Sequence, residues 1–224
     1  MKQNLIVTGG AGFLGSHFLR HVLPQGASVT NVDCLTYAGD LRRLEDLTSQ
    51  PGYEFVREDI AEEPAIRRLV ADRRPDAIVH YAAESHVTRS ESDPDRFYRT
   101  NVEGTRVLLD AAVAAGVRRF VHVSTDEVYG SILEGAFKES DKPDGTGNAA
   151  SPYSKSKALA DDLARSYADR LEVLVVRPTN AFGPWQYPEK VFPRWITRAL
   201  RSEPLLVWGD GLYIRQWLFA ADFA

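Results

Sequence analysis

The sequence predicts an α/β fold, a doubly wound parallel sheet followed by a smaller region. Three observations carry that prediction. Short, continuously apolar runs alternate with helix-length amphipathic segments, as crossover units of a parallel sheet require. A glycine-rich turn follows the first apolar run directly and opens the first amphipathic segment. The alternation stops after Pro178, where Pro184, Pro188, Pro193 and Pro204 interrupt the chain. The expected division is a sheet domain over 1–178 and a second, smaller region over 179–224.

The strands are expected at Leu5–Thr8, Ser28–Asp33, Glu54–Arg57, Ala77–Tyr81, Arg119–Ser124 and Glu172–Arg177, because each is an unbroken apolar run rather than an alternating one. Helices fit between them at Gly12–Leu23, Pro64–Arg73, Pro94–Ala115 and Pro152–Arg170. Pro64, Pro94 and Pro152 fall near first-turn positions, where a missing N–H is tolerated, and Gly116 suits the C-terminal end of the third helix. The Gly/Asp/Asn-rich stretch Ser140–Ala150 reads as a surface loop able to act as a lid.

Composition narrows the function classes. The 224 residues are 44% apolar and 26% charged, ordinary for a folded chain with one good core. A formal charge of −4, with basic residues spread among acids, gives no footprint for nucleic acid. One cysteine, Cys34, excludes an internal disulfide and a thiolate metal cluster, and fits a reducing compartment such as the cytoplasm. Neither a secretory signal nor a membrane span is expected, since no basic segment precedes a long apolar run.

The turn Thr8-Gly9-Gly10-Ala11-Gly12-Phe13-Leu14-Gly15 places Gly9, Gly12 and Gly15 where backbone must approach a pyrophosphate and helix must approach strand. The helix start adds free N–H groups and a positive dipole end. Asp33 closes the second strand at the spacing that suits ribose hydroxyls, so the fold is Rossmann-like and the expected cofactor is NAD, an acid there repelling a 2′-phosphate. Asp59 and Ile60 after the third strand, with Tyr81, Ala82 and Ala83 after the fourth, are expected along the same edge.

Tyr153 and Lys157 stand four apart on one helical face, so that the ammonium is expected to lower the phenol's pKa and ready it as a base. The fifth strand ends in Ser124-Thr125-Asp126-Glu127, putting a hydroxyl and two carboxyls at the ligand-binding edge. Adjacent carboxyls disfavour double ionisation, so one can serve as acid and the other as base, as elimination of water requires. His80, His86 and His122 lack metal-ligand spacing and are expected to pack or hydrogen-bond; no metal is assigned. Trp185, Trp195, Trp208 and Trp217 are expected to build a core in the second region, with base stacking as the alternative.

Together with Leu35-Thr36-Tyr37-Ala38-Gly39, the run His80–Val87 with Arg89-Ser90, Ser151–Lys157 and Pro188-Glu189-Lys190, these motifs resemble the extended short-chain dehydrogenases and, within them, the dTDP-glucose 4,6-dehydratases. Asp126 beside Glu127 is the most discriminating feature, since sister epimerases and decarboxylases usually lack it. The resemblance implies that Tyr153 takes the sugar 4-hydroxyl proton, Glu127 the carbon 5 proton, and Asp126 protonates the departing 6-hydroxyl, with Thr125 and Lys157 assisting. It also places Phe13, Leu14, Leu35, Thr36, Ser85 and Thr100 near cofactor or sugar. Ser85, Thr125, Asn180, Lys190, Val191 and Arg215 are the implied contacts of a dTDP-glucose-like substrate, and a homodimer is implied through the Pro94–Ala115 and Pro152–Arg170 helices. Two departures stand out: the usual paired asparagines are Asn180-Ala181, and the acid before Trp217 is Gln216. Because the family's substrate domain runs on past the position of Ala224, residues 179–224 are expected to form only part of one, and the chain to be a truncated form. The alternatives are an epimerase or decarboxylase of the same fold and a catalytically silent NAD-binding form.

Overall fold

The computed structural model describes residues 3–132, 134–143, 151–207 and 209–224. Six parallel strands, β1 (Asn4–Thr8), β2 (Ser28–Val32), β3 (Tyr53–Val56), β4 (Ala77–His80), β5 (Arg119–Val123) and β6 (Glu172–Val176), form one sheet in the order β3-β2-β1-β4-β5-β6. All six expected strands are present, with ends moved by about one residue. The order reverses between β1 and β4, which opens a crevice at their carboxyl ends.

Both faces of the central strands are covered, and most of their side chains are apolar; the buried polar exceptions are Thr8, Thr30, Asn31, His80 and His122. Leu5 and Val7 pack with Leu19, Leu23, Val29 and Val79 under helix α1 (Phe13–Val22). Ile6 turns to the other face with Ile66, Val70, Ile78, Leu108, Leu109 and Phe120, beneath α2 (Glu63–Arg73), α5 (Thr105–Ala114) and α6 (Pro152–Arg165). After β6 no further described strand joins this sheet; β7 (Asn180–Phe182) and β8 (Trp217–Phe219) pair separately and in parallel.

Several expectations are corrected. The segment Pro94–Ala115 is not one helix: α4 (Pro94–Tyr98) passes through a wide π-helical turn, Arg99–Gly104, before α5. Two contacts explain the interruption. Asn101 spends its side chain outside the helix, accepting from Glu84 N at 2.9 Å and donating to Glu84 O at 3.0 Å and to Ser156 Oγ at 2.9 Å. Gly104 lies so close to Ile60 that a Cβ would sit 2.6 Å from its Cδ1. The helix expected to reach Arg170 ends at Arg165, capped by Ser166.

Three described α-helices were not anticipated, α3 (Val87–Ser92), α7 (Val191–Leu200) and the single turn α8 (Ala220–Phe223). Pro193 was read as an interruption, yet it sits in the first turn of α7, where its missing N–H is harmless. The described tryptophans do not build a buried core: Trp185 and Trp217 are exposed, while Trp195 donates to Leu206 O at 2.9 Å. Trp208, and all but the start of the expected loop Ser140–Ala150, lie outside the described residues. No described helix is long and apolar enough to cross a membrane.

Beneath the crevice, His80 is fully buried between Thr8 Oγ1 at 2.7 Å and Thr105 Oγ1 at 3.0 Å. Thr105 gives its single hydroxyl proton to Asn101 O at 2.6 Å, so His80 Nε2 must be the donor to Thr105 and Nδ1 the acceptor from Thr8. Burial, then the charge of Lys157, pulls the His80 pKa down to about 3 and puts that of His122 well below its ordinary value. Both stay neutral when folded, whereas the unfolded imidazoles take up protons below about pH 6.5. Stability is therefore complete above that pH and falls as pH drops below it, down to about 3 in the case of His80, by up to about 1.4 kcal/mol per unit per imidazole. Urea unfolding midpoints at pH 7 and about 5 check this, and an unchanged midpoint contradicts it.

Candidate active site

A cavity of about 490 Å³ opens along the carboxyl edge of the sheet, within the range of small-molecule and cofactor sites. It begins at the glycine turn. Gly9 adopts φ +74°, donates to Val32 O at 2.8 Å, and lies so near β4 that an added Cβ would be 2.5 Å from Ala82 N. Gly15 is equally confined, its Cβ position being 2.4 Å from Gly9 O. Gly12 begins α1 without a side-chain cap, leaving the first-turn N–H groups open to an anion.

The turn is fastened by the end of β2. Asn31 Oδ1 accepts from Gly10 N at 3.1 Å, and the Asp33 carboxylate accepts from Ala11 N at 3.0 Å and Leu35 N at 2.8 Å. Burial raises the Asp33 pKa, opposed by those two N–H groups and by Arg43. Each carboxylate oxygen keeps a second lone pair for a ribose hydroxyl. Arg43 came with no sequence signal: it is buried, donates to Ala11 O at 2.9 Å and to Trp185 O at 3.2 Å, and so ties the glycine turn to the chain beyond β7.

The far end of the cavity holds the acids and the phenol. Thr125 caps the 3-10 turn Asp126–Tyr129 by accepting from Glu127 N at 3.3 Å, and Asp126 N donates to Pro178 O at 3.1 Å. Ser151 caps α6 through Ser154 N at 3.1 Å, and Ser154 Oγ donates to Glu127 Oε2 at 3.2 Å. Burial raises the Glu127 pKa, the Ser154 bond opposes it, and Asp126 adds to the rise. Tyr153, Asp126 and Glu127 line one space, so the phenol and both carboxyls do converge.

One electrostatic expectation is corrected. In the protein by itself burial raises the Tyr153 pKa and Glu127 reinforces it, while Thr125 beside the phenol opposes it. Lys157 does not offset this rise; its Nζ donates to Val123 O at 2.8 Å, and burial lowers its own pKa to about 8 against the charge of Asp161. Of the residues expected at cofactor or substrate, all but Leu35 and Arg215 line the cavity. Leu35 turns away at φ +57° and packs on the core beneath. Arg215 donates to Ile214 O at 2.8 Å and lies over the Tyr213 ring, yet its charge still bears on Glu127. Tyr37, Glu84, Gln186 and Glu189 line the cavity unforeseen, although Tyr37, Glu84 and Glu189 stand within the motifs that carried the resemblance. Outside the lining, His86 Nε2 meets Glu189 Oε2 at 2.5 Å.

The lining fits a dinucleotide. Ser124 Oγ and Gln186 Oε1 are buried on its wall without a partner among the described residues. Orphaned polar atoms of this kind, a hydroxyl and an amide oxygen, are costly unless a ligand or water satisfies them. Among the described residues no group of three or more His, Cys, Asp or Glu is placed to hold a metal ion.

Comparison with known proteins agrees with this geometry. Residues 5–224 match the model of the "NAD dependent epimerase/dehydratase family". A low-salt glycan biosynthesis protein, Agl12, of Haloferax volcanii is 47% identical over 98% of this chain and 70% of its own length. The dTDP-glucose 4,6-dehydratase of Streptomyces antibioticus is 46% identical over 98% of this chain and 66% of its own. Among solved structures, the dTDP-glucose 4,6-dehydratase DesIV of Streptomyces venezuelae, with NAD bound, superposes with a TM-score of 0.89 at 44% identity, covering 98% of this chain and 69% of that one. A UDP-glucose 4-epimerase of Thermotoga maritima superposes at 0.85 with 30% identity, over 98% of this chain and 70% of that one. The chain spans about two thirds of the length of the curated relatives it matches.

The glycine turn yields a paired test. Gly9→Ala and Gly26→Ala both force a positive φ, costing about 1–3 kcal/mol each, but only Gly9 also meets backbone, since nothing lies within 4 Å of a Cβ at Gly26. Denaturant unfolding should show the larger loss at Gly9; equal losses would show that the approach to Ala82 does not matter.

Proposed function

Because this chain belongs to the NAD dependent epimerase/dehydratase family, we propose that it is an NAD-dependent lyase removing water from a nucleotide-activated hexose, of the kind that takes dTDP-glucose to its 4-keto-6-deoxy product. The observation that carries this reading is the convergence of Tyr153 with the adjacent acids Asp126 and Glu127 on one cavity. An epimerase needs the phenol but has no use for two acids at this place. The relatives named as dehydratases also share more of this sequence than the named epimerase does.

When bound, NAD supplies the acceptor that takes a hydride from sugar carbon 4 and returns it at carbon 6. Gly9, Gly12 and Gly15 with the open start of α1 would hold its pyrophosphate, and Asp33 its adenosine ribose. Tyr153 removes the 4-hydroxyl proton, for which the positive charge of bound oxidised NAD would have to counter the rise that burial gives the phenol pKa, and the ketone so formed acidifies carbon 5. Glu127 takes the carbon 5 proton while Asp126 protonates the departing 6-hydroxyl, which leaves as water. Glu127 then gives its proton back to carbon 5, and the proton taken up by Tyr153 replaces, through solvent, the one Asp126 gave, so the hexose has lost one water and the cofactor and side chains are unchanged. The raised pKa of Glu127 suits the part, since a base works best with a pKa near the working pH. Asn180, Lys190 and Val191 face the nucleotide diphosphate and sugar from the region after residue 178, which we read as the start of a substrate-binding unit.

We place the enzyme in the cytoplasm, as its single cysteine suits. The assembly we propose is a homodimer through α5 and α6, where Leu159 stands half exposed on α6.

Incubated with dTDP-glucose, the purified protein should yield a product lighter by one water, read by mass analysis. Tyr153→Phe should lower kcat by roughly 10² to 10⁴-fold, as loss of a general base does. An unchanged sugar nucleotide with the wild-type protein would sink the reading. Sedimentation should give twice the chain mass, whereas a monomer at micromolar concentration rejects the dimer.

A further inference from the structure

The elimination requires α6, which carries Tyr153, and the 3-10 turn that carries Asp126 and Glu127 to keep one spacing, although they belong to separate parts of the chain. Ser154 joins them at the cavity wall. A second tie lies outside the cavity lining. Asp161 follows Tyr153 and Lys157 by eight and four residues on the same face of α6, and its side chain is fully buried. Arg177, just past the end of β6, grips it with both arms, Nε to Oδ2 and Nη2 to Oδ1, each at 2.8 Å. The remaining arm of Arg177 donates to Tyr129 Oη at 2.5 Å, and the guanidinium lies over that ring at 5.1 Å.

Tyr129 is the last residue of the acid turn, while the first, Asp126, donates its N–H to Pro178 O, next to Arg177. The tail of β6 therefore holds the acid turn at both ends and the helix of the phenol at the same point. We propose that Arg177 is a positioning residue for the elimination, fixing the distance between Tyr153 and the Asp126–Glu127 pair through its shared bonds to Asp161 and Tyr129. The proposal rests on the dehydratase reading. It predicts a step-specific defect: proton removal from carbon 5 by Glu127 suffers more from a loosened turn than the preceding oxidation at carbon 4, because displacing a reacting group by about 1 Å can slow its step by about 10²-fold.

Tyr129→Phe tests this with little risk to folding, since it removes one hydrogen bond and leaves the ion pair intact. The expected result is a kcat lower by about tenfold with KM near that of the wild type. During turnover the near-ultraviolet absorbance of reduced nicotinamide should build up on the enzyme, as it should not in the wild type. Arg177→Lys, which keeps the charge but loses the fork, should show the same signature rather than rescue. A Tyr129→Phe protein with wild-type kcat overturns the assignment, as does a loss of kcat that merely follows a lower thermal midpoint without reduced cofactor appearing. If the wild-type protein itself leaves nucleotide-activated hexoses intact, the dehydratase reading falls, and this assignment with it.

Discussion

Parallel pairing is the constraint from which the site follows. Six strands running the same way deliver their carboxyl ends to one edge, so residues distant in the chain arrive side by side: Gly9 after β1, Asp33 after β2, Ala82 after β4, Thr125 after β5 and Asn180 beyond β6. The reversal of strand order between β1 and β4 keeps crossover helices from covering that edge, and the cavity lies there. Nothing in the chemistry of the individual residues would bring them together without this register.

The same edge concentrates groups that burial disfavours. Tyr153, Glu127 and Asp33 are pushed toward their neutral forms, and Lys157 is pulled toward losing its proton. Each of these shifts opposes folding with the group charged; those of Glu127 and Lys157 also bring the group nearer the working pH and ready it for a proton in transit, whereas that of Tyr153 does not. Neutral His80 and His122 form the floor, so the ammonium of Lys157 meets no second charge from below. Rigid bonds compensate for this strain: the caps at Thr125 and Ser151, and the Asn101 bridge from the β4 loop to α6.

What the sequence reveals and what it hides follow from the range of the interactions. The strands were legible because burial on both faces favours short, mainly apolar runs between helix-length segments, and the glycine turn and Tyr153–Lys157 pair were legible because their geometry is local. The break in the helix around Asn101 was not, since its cause is a side chain reaching the β4 loop and a glycine pressed on Ile60. Helix α7 was hidden by Pro193, whose harmlessness depends on its being in the first turn rather than the third. Arg43 and Arg177 carried no signal of their own, because only the folded chain sets Ala11 or Asp161 beside them. The expected effect of Lys157 on the phenol failed for a related reason: spacing along a helix says nothing of the Val123 carbonyl that holds the ammonium.

The wide turn at Arg99–Gly104 also alters the phase of everything beyond it. An α-helix advances about 100° per residue, and a π-turn fits extra chain into nearly the same rise. Residues of α4 and α5 therefore obey two separate helical clocks, and Phe97 can face Tyr153 in α6 while Leu108 and Leu109 point at α2 and the sheet. A single amphipathic wheel drawn through the whole segment blurs both faces. Deleting one residue there would straighten the rod and rotate one half of it, swinging its apolar stripe away from its neighbour; the bulge is thus a gear between two surfaces that one regular helix could not serve.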